Sequence, residues 1–255
     1  MDQVERFYDE LADDYAALFA DWDASVRRQG QVIDRLVRRC LRSGARSILD
    51  CTCGIGTQAI GLSLRGYVVK GTDISGAAIA RARVEAARMG VSVPFEVADV
   101  RSLPSVEVPF DVVIAFDNAL PHLVEPRDLS AALSSIEAVL RPEGLFLASI
   151  RDYDGLLKDR PVGEAPRLFG PAGSRSLVTQ AWEWDPTEPT YRLHQFILRE
   201  QPTGDWSARH LEAGYRALRR GELSEALVRA GFRDVRWLET VKTGFYQPVV
   251  SARRL

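Results

Sequence analysis

Between residues 44 and 150 the chain alternates between two hydrophobic rhythms. Short unbroken apolar runs, among them Ile48-Leu49 and Val112 to Phe116, are separated by stretches in which apolar residues recur every three or four positions. The runs predict strands at about 46–50, 67–72, 93–97, 110–116 and 144–150, and the periodic stretches predict helices near 56–65, 76–89 and 128–140. Strands that are apolar on both faces and joined through helices form a parallel sheet covered on each side, with right-handed crossovers. The expected fold class is α/β, a doubly wound and mostly parallel sheet.

The flanks follow other patterns. The first 23 residues hold eight acids, one base (Arg6) and scattered aromatics including Tyr15 and Trp22, which suits a helical flap better than a core. Val32, Ile33, Leu36, Val37, Cys40 and Leu41 then repeat with helical period. Arg35, Arg38, Arg39 and Arg42 take the opposite face, and Gly44 is expected to close the helix. After Arg151, two runs, Leu177 to Trp184 and Thr190 to Leu198, flank Asp185-Pro-Thr-Glu-Pro189 and predict an antiparallel hairpin. Trp182, Trp184, Tyr191 and Phe196 alternate along it, so one face is expected to cover a substrate pocket. A helix near 222–230, ended by Gly231, and strands near 233–241 and 245–253 complete a seven-stranded sheet. The expected organisation is one domain: flap 1–43, core 44–150, substrate-covering insertion 151–205, and a C-terminal helix with an antiparallel strand pair over 206–255.

Composition narrows the function classes. A chain of 255 residues with 46% hydrophobic content can bury one large core. A formal charge of −2 and a pI near 6.0 disfavour nucleic acid as a partner, since grip on phosphates needs a basic stripe. No apolar run is long enough to span a bilayer and the first residues are acidic, so a cytoplasmic protein without membrane contact is expected. Cys40, Cys51 and Cys53 are expected to be reduced and packed, and with His122, His194 and His210 scattered in sequence, no metal site is expected.

Candidate chemistry begins at Ser47-Ile-Leu-Asp50-Cys-Thr-Cys-Gly54-Ile-Gly56, a strand running into a glycine turn that opens a helix. Such a turn sits at the carboxyl edge of an open α/β sheet, where ligands bind. Asp73 ends the second strand, 23 residues after Asp50, where a carboxylate can accept both hydroxyl protons of a ribose. That spacing also suits a nicotinamide enzyme or a nucleotide-binding module, which stay open as alternatives. Asp99 follows the third strand, where it can hold an adenine amino group, and the fourth runs into Asp117-Asn118-Ala-Leu-Pro-His122.

In the order of these segments the chain resembles the class I S-adenosylmethionine-dependent methyltransferases and, within them, the glycine and sarcosine N-methyltransferases, from about residue 8 to the C-terminus. The resemblance implies S-adenosylmethionine as cofactor. It assigns Asp50, Cys51, Gly54 and Gly56 to the methionine half, Asp73 and Ile74 to the ribose, and Asp99 and Val100 to the adenine. Asp117 joins that set, and Tyr15, Trp22 and Arg28 would close over it from the flap. Thr52 stands where the family pattern has glycine or alanine.

On the substrate side the resemblance places Asn118 at the acceptor and makes Arg151 a carboxylate anchor, for which a planar guanidinium is suited. His122 is the candidate proton acceptor, because an ammonium must lose a proton before its nitrogen can attack. Tyr153, Tyr215 and Tyr246 are expected at the mouth, where ring faces attract cations. The expected reaction is methyl transfer to a small-molecule amine or amino acid, with an oxygen or carbon acceptor in a larger metabolite as the alternative. Asp117-Asn-Ala-Leu lacks the prolines and aromatic of the tetrad used by base-amine methyltransferases, which argues against DNA or RNA.

Overall fold

The computed structural model describes residues 2–41 and 44–255. The chain starts with α1 (Gln3–Leu11), capped by Asp2 and Glu5 in a reciprocal box that satisfies two otherwise orphaned N–H groups. A short 3₁₀ turn over Tyr15–Leu18 leads to α2 (Trp22–Cys40), whose apolar stripe is buried as its period requires. Leu41, not Gly44, caps α2, and Arg42 lies outside the described residues.

The core then alternates as expected: β1 (Ser47–Asp50), α3 (Thr57–Ser63), β2 (Val68–Asp73), α4 (Gly76–Arg88), β3 (Phe95–Val97), β4 (Phe110–Ala115), α5 (Pro126–Val139) and β5 (Leu140–Ser149). α6 (Tyr153–Asp159) leads to a separate antiparallel sheet of β6 (Gly163–Phe169), β7 (Ser176–Trp184), β8 (Thr190–Glu200) and β9 (Trp206–Arg216). α7 (Arg220–Arg229), β10 (Phe232–Leu238), the single turn α8 (Thr240–Thr243) and β11 (Val249–Arg254) return to the main sheet. Its order is β10-β11-β5-β4-β1-β2-β3, with β11 antiparallel to both neighbours.

Side-chain alternation divides the core between the two faces of this sheet. Leu49, Val113, Phe146 and Ala148 pack on one face with α5, α7 and the second sheet. Ile48, Val112, Ile114 and Leu147 pack on the other with α2, α3 and α4.

The insertion departs from expectation in size. It is four strands, not a hairpin, and runs to Arg216. β6 carries Pro166 and a register shift between Glu164 and Arg167, as an edge strand can, and the first five residues of β9 are exposed. Neither segment therefore shows the apolar alternation that marks a strand. Trp182, Trp184 and Tyr191 do share the inner face, but Phe196 points outward, stacked on His210 at 4.9 Å. β8 and β9 also bring together histidines that are distant in sequence. His194 Nδ1 lies 3.0 Å from His210 Nε2 on this outer face, with Glu212 alongside, a grouping able to hold a metal ion.

α2 and α3 touch backbone to backbone. A Cβ on Gly30 would fall 2.4 Å from the Gly61 carbonyl, and one on Gly61 would fall 2.4 Å from the Val26 oxygen. Only glycine at both positions permits this crossing, and it sets Gln29 of α2 beside Gln58 of α3, where Gln58 Nε2 donates to Gln29 Oε1 at 2.8 Å.

Candidate active site

The turn after β1 is bent by glycines. Gly54 (φ +51°) and Gly56 (φ +91°) take left-handed conformations that other residues adopt only with strain, whereas Thr52 does not. β2 holds the turn in place: the Gly54 N–H donates to Asp73 Oδ2 at 2.8 Å, and the Ser75 N–H donates to Asp73 Oδ1 at 3.0 Å. Asp73 thus fixes the turn and keeps lone pairs for a ligand. Cys51 and Cys53 are free and buried, and burial pushes both thiols up.

A cavity of about 240 Å³ opens over this turn. It is lined by Cys51, Thr52 and Gly54 of the turn, by Asp73, Ile74, Asp99 and Val100, and by Asp117 and His122. Tyr8 and Tyr15 from the flap close it. Four residues expected here stand elsewhere. Asp50 lies behind the turn, 1% exposed, and Gly56 packs toward Ile60 and Phe95. Trp22 buttresses the start of α3, its indole N–H donating to Thr57 Oγ1 at 3.1 Å. Arg28 faces a second cavity and donates to Ser25 Oγ at 3.3 Å.

The second cavity, about 1050 Å³, lies between the flap, the antiparallel sheet and the segment before β11. Arg151 enters it from the carboxyl end of β5. Its guanidinium donates to Tyr191 Oη (2.9 Å) and Gln180 Oε1 (2.9 Å), pairs with Glu164 (3.3 Å), and lies 4.8 Å from the Trp182 ring. Tyr215 lines this cavity, and Tyr246 lines it with its hydroxyl donating to Asp117 Oδ1 at 2.5 Å. Tyr153 does not reach it: the side chain is fully buried and bonds Asn118 and Tyr191. Asn118 is also committed, since its Oδ1 accepts the Arg151 N–H at 2.9 Å.

His122 sits in an apolar cage with Tyr215 at 4.0 Å between ring centroids. Its Nε2 shares a hydrogen bond with Tyr8 Oη at 2.9 Å, and Nδ1 has no partner of ordinary geometry. Burial lowers its pKa to about 3, so the ring is neutral near pH 7 and a weak base. These surroundings argue against His122 as the proton acceptor.

The charge pattern of the site is lopsided. Asp50 and Asp73 are buried and Asp117 is half-buried, desolvation raises all three carboxyls from their ordinary value, and Asp73 and Asp117 each raise Asp50 further. None has an ion-pair partner among the described residues. Asp73 and Asp117 accept only from neutral donors, and both Asp50 oxygens lack a bond of ordinary geometry. The one arginine at the first cavity, Arg101, is already paired with Asp99 and Asp2. Such a site favours a cation and disfavours a pyrophosphate. Gln29 and Gln58 were not singled out by the sequence, and Tyr8 stood out only as one of the flap's scattered aromatics.

Residues 48–144 match a family model described as a methyltransferase domain. Among curated proteins, the chain is similar to the glycine/sarcosine N-methyltransferase of Parasynechococcus marenigrum strain WH8102, with 32% identity over 155 residues, covering 60% of this chain and 54% of that protein. The protein of the same description from Halorhodospira halochloris is 28% identical over 209 residues, covering 78% and 76%. The chain thus spans about half the length of the first relative and three quarters of the second. In fold it resembles the SAM-bound amino pentose methyltransferase CalS10 of Micromonospora echinaspora, with a TM-score of 0.75 at 20% identity, covering 91% of this chain and 92% of that one.

Proposed function

We propose that the protein transfers the methyl group of S-adenosylmethionine to the nitrogen of a small-molecule amine. The observation that carries this reading is that Asp73 and Asp117, on the lining of the first cavity, have no ion-pair partner among the described residues, and that Asp117 lines the larger cavity as well. A sulfonium cofactor bearing an ammonium group answers that field, and the phosphates of a nicotinamide dinucleotide do not. The Thr52 hydroxyl, buried without a partner on the lining of the first cavity, fits a ligand or water at the methionine end. Asp73 and Ile74 would hold the ribose, Asp99 and Val100 the adenine, and Tyr15 would cover the turn, its ring 3.8 Å from where a Gly54 Cβ would lie.

When bound, the cofactor supplies an electrophilic methyl carbon, so the protein has to orient the acceptor, exclude water and manage one proton. The second cavity exceeds by far what a glycine-sized molecule fills, which supports an amine carried on a larger scaffold. An acceptor carboxylate would have to compete with Glu164 for Arg151. Similarity to proteins described as N-methyltransferases supports nitrogen over oxygen or carbon. Calorimetric titration with S-adenosylhomocysteine and, separately, with NAD tests the reading: micromolar binding of the first and none of the second is expected, and the reverse would overturn it.

A further inference from the structure

We propose that Asp117 seats the acceptor's ammonium group, takes its proton, and releases that proton to solvent through Tyr246. The inference rests on the amine reading above and supplies the base that His122 does not. Three residues line both cavities, Tyr8, Tyr15 and Asp117, and Asp117 is the one acid among them. It stands where a nitrogen entering from the large cavity meets the cofactor side.

The placement is built at a cost. Asp117 (φ +57°) and Asn118 (φ +66°) are both left-handed, a conformation uncommon outside glycine that persists where the surroundings impose it. Here they do: the Asp117 N–H donates to Ser149 Oγ at 2.9 Å, the Asn118 N–H donates to the Ser149 carbonyl at 3.2 Å, and Asn118 Oδ1 holds the Arg151 N–H. The carboxylate is then clamped by Gln58 Nε2 at 2.6 Å and Tyr246 Oη at 2.5 Å. Both donors are neutral, and each oxygen keeps a lone pair.

The groups around Asp117 leave its charge unanswered. Tyr8 and Tyr15 face it from the flap, Asp50 and Asp73 from the ends of β1 and β2, and Tyr246 from the segment before β11. Arg151 is committed to Glu164, Gln180 and Tyr191, and His122 is neutral. Desolvation raises the Asp117 carboxyl from its ordinary value, against the hydrogen bonds from Tyr246 and Gln58 that lower it, which makes it a stronger base than an exposed carboxylate. Transfer from an amino group with a pKa near about 8 to a base near His122's pKa of about 3 would be roughly 10⁵-fold uphill. Tyr246, 58% exposed with its hydroxyl on Asp117, supplies the route by which the proton would leave. In the step itself, an N–H proton moves to an Asp117 oxygen and the freed lone pair forms the N–C bond. The C–S bond breaks with its electron pair left on sulfur, giving a thioether and a methylated ammonium.

The test combines calorimetry with S-adenosylhomocysteine and turnover of three probe amines, glycine, sarcosine and glucosamine, between pH 6.5 and 9.5. Asp117→Asn should bind S-adenosylhomocysteine within about threefold of wild type and lose about 100-fold in kcat at pH 7. That loss should shrink as the pH approaches the probe's own pKa, since solution then removes the proton. Tyr246→Phe should bind S-adenosylhomocysteine normally and slow turnover by about tenfold at pH 7. Loss of S-adenosylhomocysteine binding in Asp117→Asn, a defect constant with pH, or near-normal turnover at pH 7 each overturns the proposal. A wild type that cannot bind S-adenosylhomocysteine overturns the methyltransferase reading instead. One that binds it and methylates none of the three amines overturns the amine reading and this proposal together.

Discussion

The two cavities are built on opposite electrostatic plans. Around the smaller one, Asp73 and Asp117 have no ion-pair partner among the described residues, whereas in the larger one the guanidinium of Arg151 already has Glu164, Gln180 and Tyr191. A site left unbalanced waits for a ligand of opposite charge; a site already balanced is shaped for fit more than for charge. The small cavity therefore commits to one cation, and the large one leaves room for acceptors of different form. Their construction differs too. Strand ends and the turn after β1, closed over by Tyr8 and Tyr15 of the flap, make the small cavity, while the large one also draws on most of the second sheet's inner face and the segment before β11.

The sharpest way to break this comparison is Asp73→Ala. It removes a buried charged acceptor and the bonds from Gly54 and Ser75, so S-adenosylhomocysteine affinity should fall about 10–100-fold in calorimetry, with the KM of a working acceptor unchanged. If the acceptor KM moved equally, the two cavities would not be separate sites. Next comes Gly61→Ala, which forces α2 from α3 and should cost about 2 kcal/mol, net of its helix-propensity gain, seen as a Tm lower by roughly 5 °C. An unchanged Tm would mean that the crossing has slack. The smallest effect is expected from Arg151→Met: a KM for the acceptor about five- to tenfold higher, from lost polar contacts in the roof, with S-adenosylhomocysteine affinity intact. Weaker S-adenosylhomocysteine binding in that variant would tie the roof to the cofactor.

The β/α alternation over 44–150 was readable because each buried strand is a continuous apolar run and each helix carries a periodic stripe. Asp73, Asp99 and the glycine turn were readable for a related reason: they sit at fixed places relative to those strands. β6 and β9 were not, since an edge strand with a proline and a strand half exposed to solvent carry no alternation. Tyr153 was misplaced at the mouth, because sequence position after β5 does not say which way the first turn of α6 points.

By itself, then, the sequence determined the layered sheet, the order of its motifs and the acids at its carboxyl rim, all consequences of local periodicity and of where a strand must end. Tertiary structure alone decided which of those acids lacks a cation, that His122 is caged by Tyr8 and Tyr215, and that Gln29, Gln58, Asp117 and Tyr246 form one chain of contacts. Burial and counter-charge depend on neighbours far apart in sequence, brought together here by a glycine crossing of two helices and a strained pair of residues after β4.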